Sequence, residues 1–460
     1  MLASEDIETR RLPREVQLHE LVDRLADARR RSDELFALVR DEFLYQRPIA
    51  ERHRIVFYIG HLETFDWNLL RERALGLEAF DPEFERLFAF GIDPVDGGLP
   101  SDQPSDWPTL VRTREYARRL RQTIDDQLAN LPDSISGSRA AETGEFSLFT
   151  LLNVAIEHRL MHVETLAYMF HQLPFHQKVR QAAPSEAVSL PLTPRMLEIP
   201  AGAVILGLER GHAFGWDNEY DAHQVDVPAF SVDQFKVTNR QYLEFMAAGG
   251  YETRSFWSDD DWNWKTNGAI FHPVFWKRDG FNGGGWLLRT MFDEIPLPAD
   301  WPVYVSHAEA NAFARWAGKT LPTEAQWQRA AYGEAENKGN GKERAYPWGN
   351  RAPSSSLGNF DFQQWNPVLV NAFPEGQSAF GVADLMGNGW EWTSTPFAPF
   401  AGFQRFPFYP GYSADFFDGK HFVMKGASPR TAACMLRRSF RNWFQPHYQY
   451  AYAGFRCVGR

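Results

Sequence analysis

The chain has 460 residues, of which 44% are hydrophobic and 23% charged, a globular balance with length for two or three domains. Its 48 Lys and Arg against 59 Asp and Glu leave a net charge of −11, which disfavours phosphate backbones and anionic lipid as partners. Cys434 and Cys457 are too few for a disulfide framework, and no apolar leader or membrane-length apolar run is visible, so a cytoplasmic protein is expected.

In chain order, apolar residues at helical spacing with no Gly or Pro predict a first helix from Val16 that ends near Gln46, before Pro48. Further helical runs cover Val56–Leu75, stopping at Gly76, then Thr109–Leu131 and Ser147–Gln172, and together the four suggest an antiparallel bundle. A loop rich in Gly, Pro, Asp and Ser, Phe88–Pro108, separates the second run from the third. Ala182–Arg195 reads as a linker, which sets domains at 1–185 and 197–460 around residues 186–196. Beyond it the texture is short segments punctuated by Gly, Pro, Asn and Asp, with helices at Asn239–Ala248 and His307–Gly318 and a short one starting at Thr323. The fold class expected is α+β, with a loop-rich second half of the kind that presents a binding surface. Aromatics make up 15% of the chain, and besides burying well they build walls for cations and sugars.

On the fourth helical run, His158 and His162 stand four residues apart and share one face, and the second run offers His61. Facing helices of a bundle can bring such residues onto one metal. Three neutral nitrogens leave positions for water or substrate and suit Zn, Fe, Ni or Cu by ligand type, while a bare H-x3-H pair is also common on ordinary helices.

Several stretches of the second half are, in order, Leu197-Glu-Ile-Pro-Ala-Gly202, Phe214-Gly-Trp-Asp-Asn-Glu219, Val237-Thr-Asn239, Leu321-Pro-Thr-Glu-Ala-Gln-Trp327, Tyr346-Pro-Trp-Gly-Asn350, Met386-Gly-Asn-Gly-Trp-Glu-Trp-Thr393 and Ala453-Gly-Phe-Arg456. They resemble the formylglycine-generating-enzyme (sulfatase-modifying-factor) fold, a variant of the C-type lectin fold. The first domain, with His61 and His158-x3-His162-x-Glu164, resembles the DinB-like four-helix bundle that precedes this fold in the ergothioneine-type sulfoxide synthases. That resemblance implies Fe(II) on His61, His158 and His162, with O2 as co-substrate and hercynine, the trimethylammonium betaine of histidine, as substrate. It also implies that Asn442 and Trp443 contact hercynine, and that Met161 stands where relatives often carry a Gln for the hercynine carboxylate.

The chain departs from the branch that uses γ-glutamylcysteine at the positions that hold the charged donor. Trp107, Phe444 and Tyr448 stand in place of charged residues there. Unpaired burial of a polyanionic donor costs several kcal/mol, so a neutral donor fits better. Aromatic faces with polar neighbours such as Gln445 and Gln449 suit a sugar, and the sequence is similar to the selenoneine synthases, which attach selenium from a selenosugar to hercynine. Phe400, with Phe403 close by, takes the near-iron position where relatives place a proton-donating Tyr, and a Phe cannot donate. The partners expected are small molecules, hercynine and a selenosugar or thiol, with no nucleic acid, membrane or obligate protein partner. Competing readings are a sulfoxide synthase using cysteine or another thiol, a thiol transferase, a formylglycine-generating oxidase, and, from a different class, a lectin-like binding module without catalysis.

Overall fold

The computed structural model describes residues 14–91, 99–130, 147–181, 192–211, 213–280, 284–334 and 343–459. Most of the expected linker, and the segment 92–98 of the first long loop, lie outside the described residues. The chain divides into two compact units, Met1–Leu160 and Met161–Arg460. The division falls inside a helix, so a single continuous element belongs to the first unit by its N-terminal half and to the second by its C-terminal half.

The first unit is helical. Helix α1 (Arg14–Phe36) buries Leu21, Leu25, Ala28 and Leu35, the three- and four-residue spacing that turns one face inward. It ends ten residues before the expected stop. The last turn tightens, with Leu38 and Val39 N–H groups donating to the carbonyls of Leu35 and Phe36. The next backbone groups serve a different partner: Leu44 and Gln46 carbonyls accept from Val56 and Ile55, so this segment ties down the start of α2 (Ile55–Leu70) instead of extending α1. Helix α2 runs on as a π-turn, Arg71–Leu75, and stops at Gly76, whose φ of +61° is a left-handed cap that favours Gly.

Helix α3 (Pro82–Phe90) was not expected. Asp81 caps it by accepting from the Phe84 N–H at 3.1 Å, Pro82 occupies its first turn, and Phe84 and Phe88 are buried one turn apart. Helix α4 (Leu110–Ala129) begins after the cap Thr109 and buries Tyr116, Leu120, Ile124 and Leu128. Helix α5 (Leu148–Gln172) carries both histidines of the H-x3-H pair. No helix among the described residues is long and apolar enough to cross a membrane.

The second unit is α+β. Its largest sheet has the order β10 (Asn442–Phe444), β9 (Phe422–Ala427), β8 (Gly389–Pro396), β11 (Ala453–Gly454), antiparallel except that β11 runs parallel to β8. Two-stranded pairs join β1 (Met196–Ile199) to β4 (Phe230–Asp233) and β2 (Gly202–Leu206) to β3 (His223–Val227). Strands β5 (Trp276–Arg278), β6 (Trp286–Arg289) and β7 (Glu294–Pro296) form a separate meander. Helices α6 (Asn239–Ala247), α8 (His307–Trp316) and α9 (Glu324–Tyr332) each open on a capping box, Thr238 with Gln241, Ser306 with Glu309 and Thr323 with Gln326. Helix α7 (Asp259–Asn267) was not expected; it mixes Trp with charges and shows no apolar stripe, although Ser258 caps it through the Asp261 N–H.

Two of the sequence motifs meet in the core. On β8, Trp390 and Trp392 share one face, while Glu391 between them points the other way and takes Arg456 of the Ala453–Arg456 motif in two bonds of 2.6 and 2.9 Å. All four side chains are buried, and Lys236, 3.5 Å from both Glu391 and Asp384, makes this a network of two cations and two carboxylates.

Candidate active site

One ring nitrogen from each of His61, His158 and His162 lies within 4.8 Å of the others, the one such group of metal-ligating side chains among the described residues. Helix α5 supplies two of them one turn apart, so their shared face follows from helical geometry. Helix α2 supplies His61, whose ring centroid is 5.3 Å from that of His158.

The state of His61 follows from its backbone partner. Its Nδ1 is 2.7 Å from the Phe88 carbonyl, and a carbonyl only accepts, so Nδ1 carries the proton and Nε2 keeps its lone pair. Burial pushes the His61 pKa down to about 4 against the opposing pull of that carbonyl, which holds the ring neutral. The approach of Phe88 depends on Gly60: a Cβ there would meet the Phe88 ring at 2.3 Å. Phe57 stacks on His61 at 4.7 Å and Phe65 lies parallel to His158, so aromatic walls fix both ring planes. Oriented, nitrogen-only donors, one of them held neutral by burial and by an outer hydrogen bond, fit a divalent transition metal.

The C-terminal half of α5 presents a second face. Met161, Glu164, Tyr168 and His171 recur at helical spacing and each meets a residue of the second unit. The Tyr412 hydroxyl donates to Met161 Sδ at 3.4 Å. Glu164 is buried and accepts from Trp390 Nε1 at 2.7 Å, Ser428 at 2.5 Å and Thr431 at 2.9 Å; burial raises its pKa, and these donors oppose the rise. Tyr168 stands edge-on to Phe444 and Tyr448, and His171 bonds to Tyr452 and to the Arg289 carbonyl.

Neighbouring positions on β10 point to opposite sides of the strand, and the two expected substrate groups separate accordingly. Trp443 stacks on Phe397 at 4.1 Å and meets Tyr412 at 5.4 Å and Phe416 at 5.6 Å. Tyr412 in turn reaches Met161, the residue before His162, so Trp443 and Met161 are joined through one side chain. Asn442 turns its Oδ1 back to the Trp443 N–H at 2.8 Å and so stiffens that turn of chain. On the other side, Phe444 stacks on Tyr448 at 4.7 Å, and Gln445 is exposed at the turn between them.

The remaining expected positions have the following surroundings. Trp107 is buried in the first unit with its N–H donated to Asp102 at 2.6 Å and its ring edge-on to Phe57 at 5.9 Å. Phe400 packs against His223 at 4.6 Å and under the Arg441 guanidinium at 4.1 Å, and Phe403 meets Phe417. Four aromatic neighbours were not singled out from sequence: Tyr168, Phe397, Tyr412 and Phe416. Tyr168 carried a usable signal, seven residues after Met161 on the same helical face; the others come from irregular chain with no periodicity to read.

Residues 181–460 match the sulfatase-modifying factor enzyme 1-like domain, and residues 24–166 match the DinB superfamily. A hercynine oxygenase of Mycolicibacterium thermoresistibile is 34% identical over 82% of this chain and 80% of its own length. The chain belongs to the ergothioneine-type sulfoxide synthase family. A second hercynine oxygenase in that family, from Mycobacterium tuberculosis, is 34% identical over 76% of this chain and 77% of its own. The ergothioneine biosynthesis protein 1 of Neurospora crassa is 28% identical over 91% of this chain and 55% of its own length. Both family domains are thus present in one chain, in the α+β arrangement that the motifs implied.

Proposed function

We propose that this family member is an O2-dependent oxidoreductase that holds Fe(II) on His61, His158 and His162 and attaches the selenium of a neutral selenosugar to the imidazole of hercynine. The observation that carries the reading is the three-histidine cluster, with His61 locked in the metal-binding tautomer by the Phe88 carbonyl. Fe(II), when bound, supplies O2 activation and a coordination position for the chalcogen.

The chain's own residues bind and orient. Trp443, with one face already covered by Phe397, offers its other face to the trimethylammonium group, an attraction of about 0.5–2 kcal/mol. Tyr412 links that cation subsite to Met161, the residue before His162. Phe444 and Tyr448 present flat apolar surfaces to a sugar ring, with Gln445 at the exposed edge for hydroxyl groups. No charge stands at positions 107, 444 and 448 to pair with a polyanionic donor. The overall change balances with one O2: a C–H and an Se–H bond give way to C–Se, one oxygen stays on selenium and the other leaves as water.

A sulfur alternative, in which cysteine or another thiol is the donor, is supported by the name of the Neurospora crassa relative, an ergothioneine biosynthesis protein. Aerobic turnover of the Fe(II)-loaded protein with hercynine and an equimolar mixture of a selenosugar, cysteine and γ-glutamylcysteine separates the two by product mass. A selenium adduct is expected; a sulfur adduct alone transfers the protein to the thiol-using branch, and no adduct with any donor overturns the reading.

A further inference from the structure

Beside the triad lies a buried ionic network that the chemistry does not use. Arg159, the residue after His158, is fully buried and directs its guanidinium at Glu63 (2.9 Å) and Asp66 (2.6 Å), both buried on α2. The same group donates to Ser32 of α1 at 3.2 Å and to the Leu62 carbonyl at 2.9 Å. Arg121 of α4 joins Glu63 at 2.6 Å, and Arg29 of α1 lies 3.9 Å from both carboxylates. Four helices therefore converge on two carboxylates placed two and five residues after His61.

Such a network is a costly way to hold helices together, since apolar packing of equal volume is often as stable or more so. What it adds is register. Glu63 and Asp66 stand one helical turn apart, and a planar guanidinium spans both where a point charge engages one. A slip of one residue between α2 and α5 would carry His158 about 1.5 Å along the axis and turn it about 100°, whereas metal–ligand distances tolerate roughly 0.2 Å. The same helix pair carries the imidazoles of His61 and His158, whose ring centroids are 5.3 Å apart.

We propose that Arg159 is a positioning residue for the metal centre: its fork on Glu63 and Asp66 locks the register of α2 against α5 and thereby sets the His61–His158 spacing. The inference rests on the metal-binding reading of the triad. Arg159→Lys keeps the charge and removes the fork. Co(II) titration, with its visible ligand-field spectrum, reads affinity and geometry without turnover, while circular dichroism of the metal-free protein reads folding. The expected result is a folded Arg159→Lys protein that binds Co(II) at least tenfold more weakly than wild type, with an altered spectrum. A folded variant with the wild-type Kd and spectrum overturns the proposal. If Arg159→Lys does not fold, Asp66→Asn takes its place, with weakened binding and an altered spectrum expected and the same contrary outcome. His158→Ala is the control for the centre itself: wild-type protein that takes up no Co(II), or takes it up equally in His158→Ala, overturns the metal reading and this inference with it.

Discussion

Replacing Trp443 by Ala removes the face offered to a cation while leaving Phe397, Tyr412 and Phe416 to close around the gap. A loss of about 1–2 kcal/mol of cation–π attraction corresponds to a roughly tenfold rise in the hercynine KM. Steady-state kinetics at saturating donor checks this, and an unchanged KM would place the trimethylammonium elsewhere. Gly60 is the second single position with a definite outcome. Its added Cβ would press into the Phe88 ring, so Gly60→Ala should destabilise the fold by about 1–3 kcal/mol and, by shifting the Phe88 carbonyl off His61, weaken metal retention. Urea melts and metal analysis after dialysis measure the two effects. The H-x3-H pair and a facing His61 were legible as a possible cluster, but the Phe88 carbonyl behind His61 was not, because a backbone acceptor leaves no mark in sequence.

Helix α5 is the element on which the account turns, since one face carries His158 and His162 and another carries Met161, Glu164, Tyr168 and His171. Its C-terminal end is sensitive to acid. Burial lowers the His171 pKa to about 3, and lowers that of His307 on α8 to about 4 against the opposing Thr393 carbonyl. Both are neutral in the folded state and take up a proton on unfolding at low pH. Their contribution is therefore fully present above the ordinary value of 6.5 and is lost as pH falls from there toward 4 and 3, at about 1.4 kcal/mol per pH unit for each ring. Metal-free protein should show a urea midpoint that drops between pH 7 and pH 5, and His171→Gln should flatten that drop; an identical slope in both would contradict the assignment. The helix was readable over nearly its whole length from its apolar spacing. Helix α3 was missed because its two buried aromatics fall in only nine residues, although Asp81-Pro82 signals a start. The end of α1 was misplaced because the segment after Phe36 keeps a helical spacing yet spends its backbone groups on α2.

At the scale of the molecule, the α+β class and the order of the two family domains were legible from ordered motifs, since Trp, Gly and capping residues serve turns and packing directly. The network of Arg159, Glu63 and Asp66 was not, because it pairs residues 93 and 96 apart through the docking of two helices. The motif alone assigns Trp443 and Phe444 to different substrates, whereas their separation onto opposite sides of a strand follows from the pleat only once the strand is known. The central claim is that the three histidines hold the metal that runs an O2-consuming reaction on hercynine. Its most direct test is O2 uptake by Fe(II)-loaded protein with hercynine and donor supplied singly and together, beside His158→Ala. Uptake that requires both substrates and falls at least a hundredfold in the variant is the predicted result; uptake indifferent to hercynine or to the loss of His158 would contradict the account.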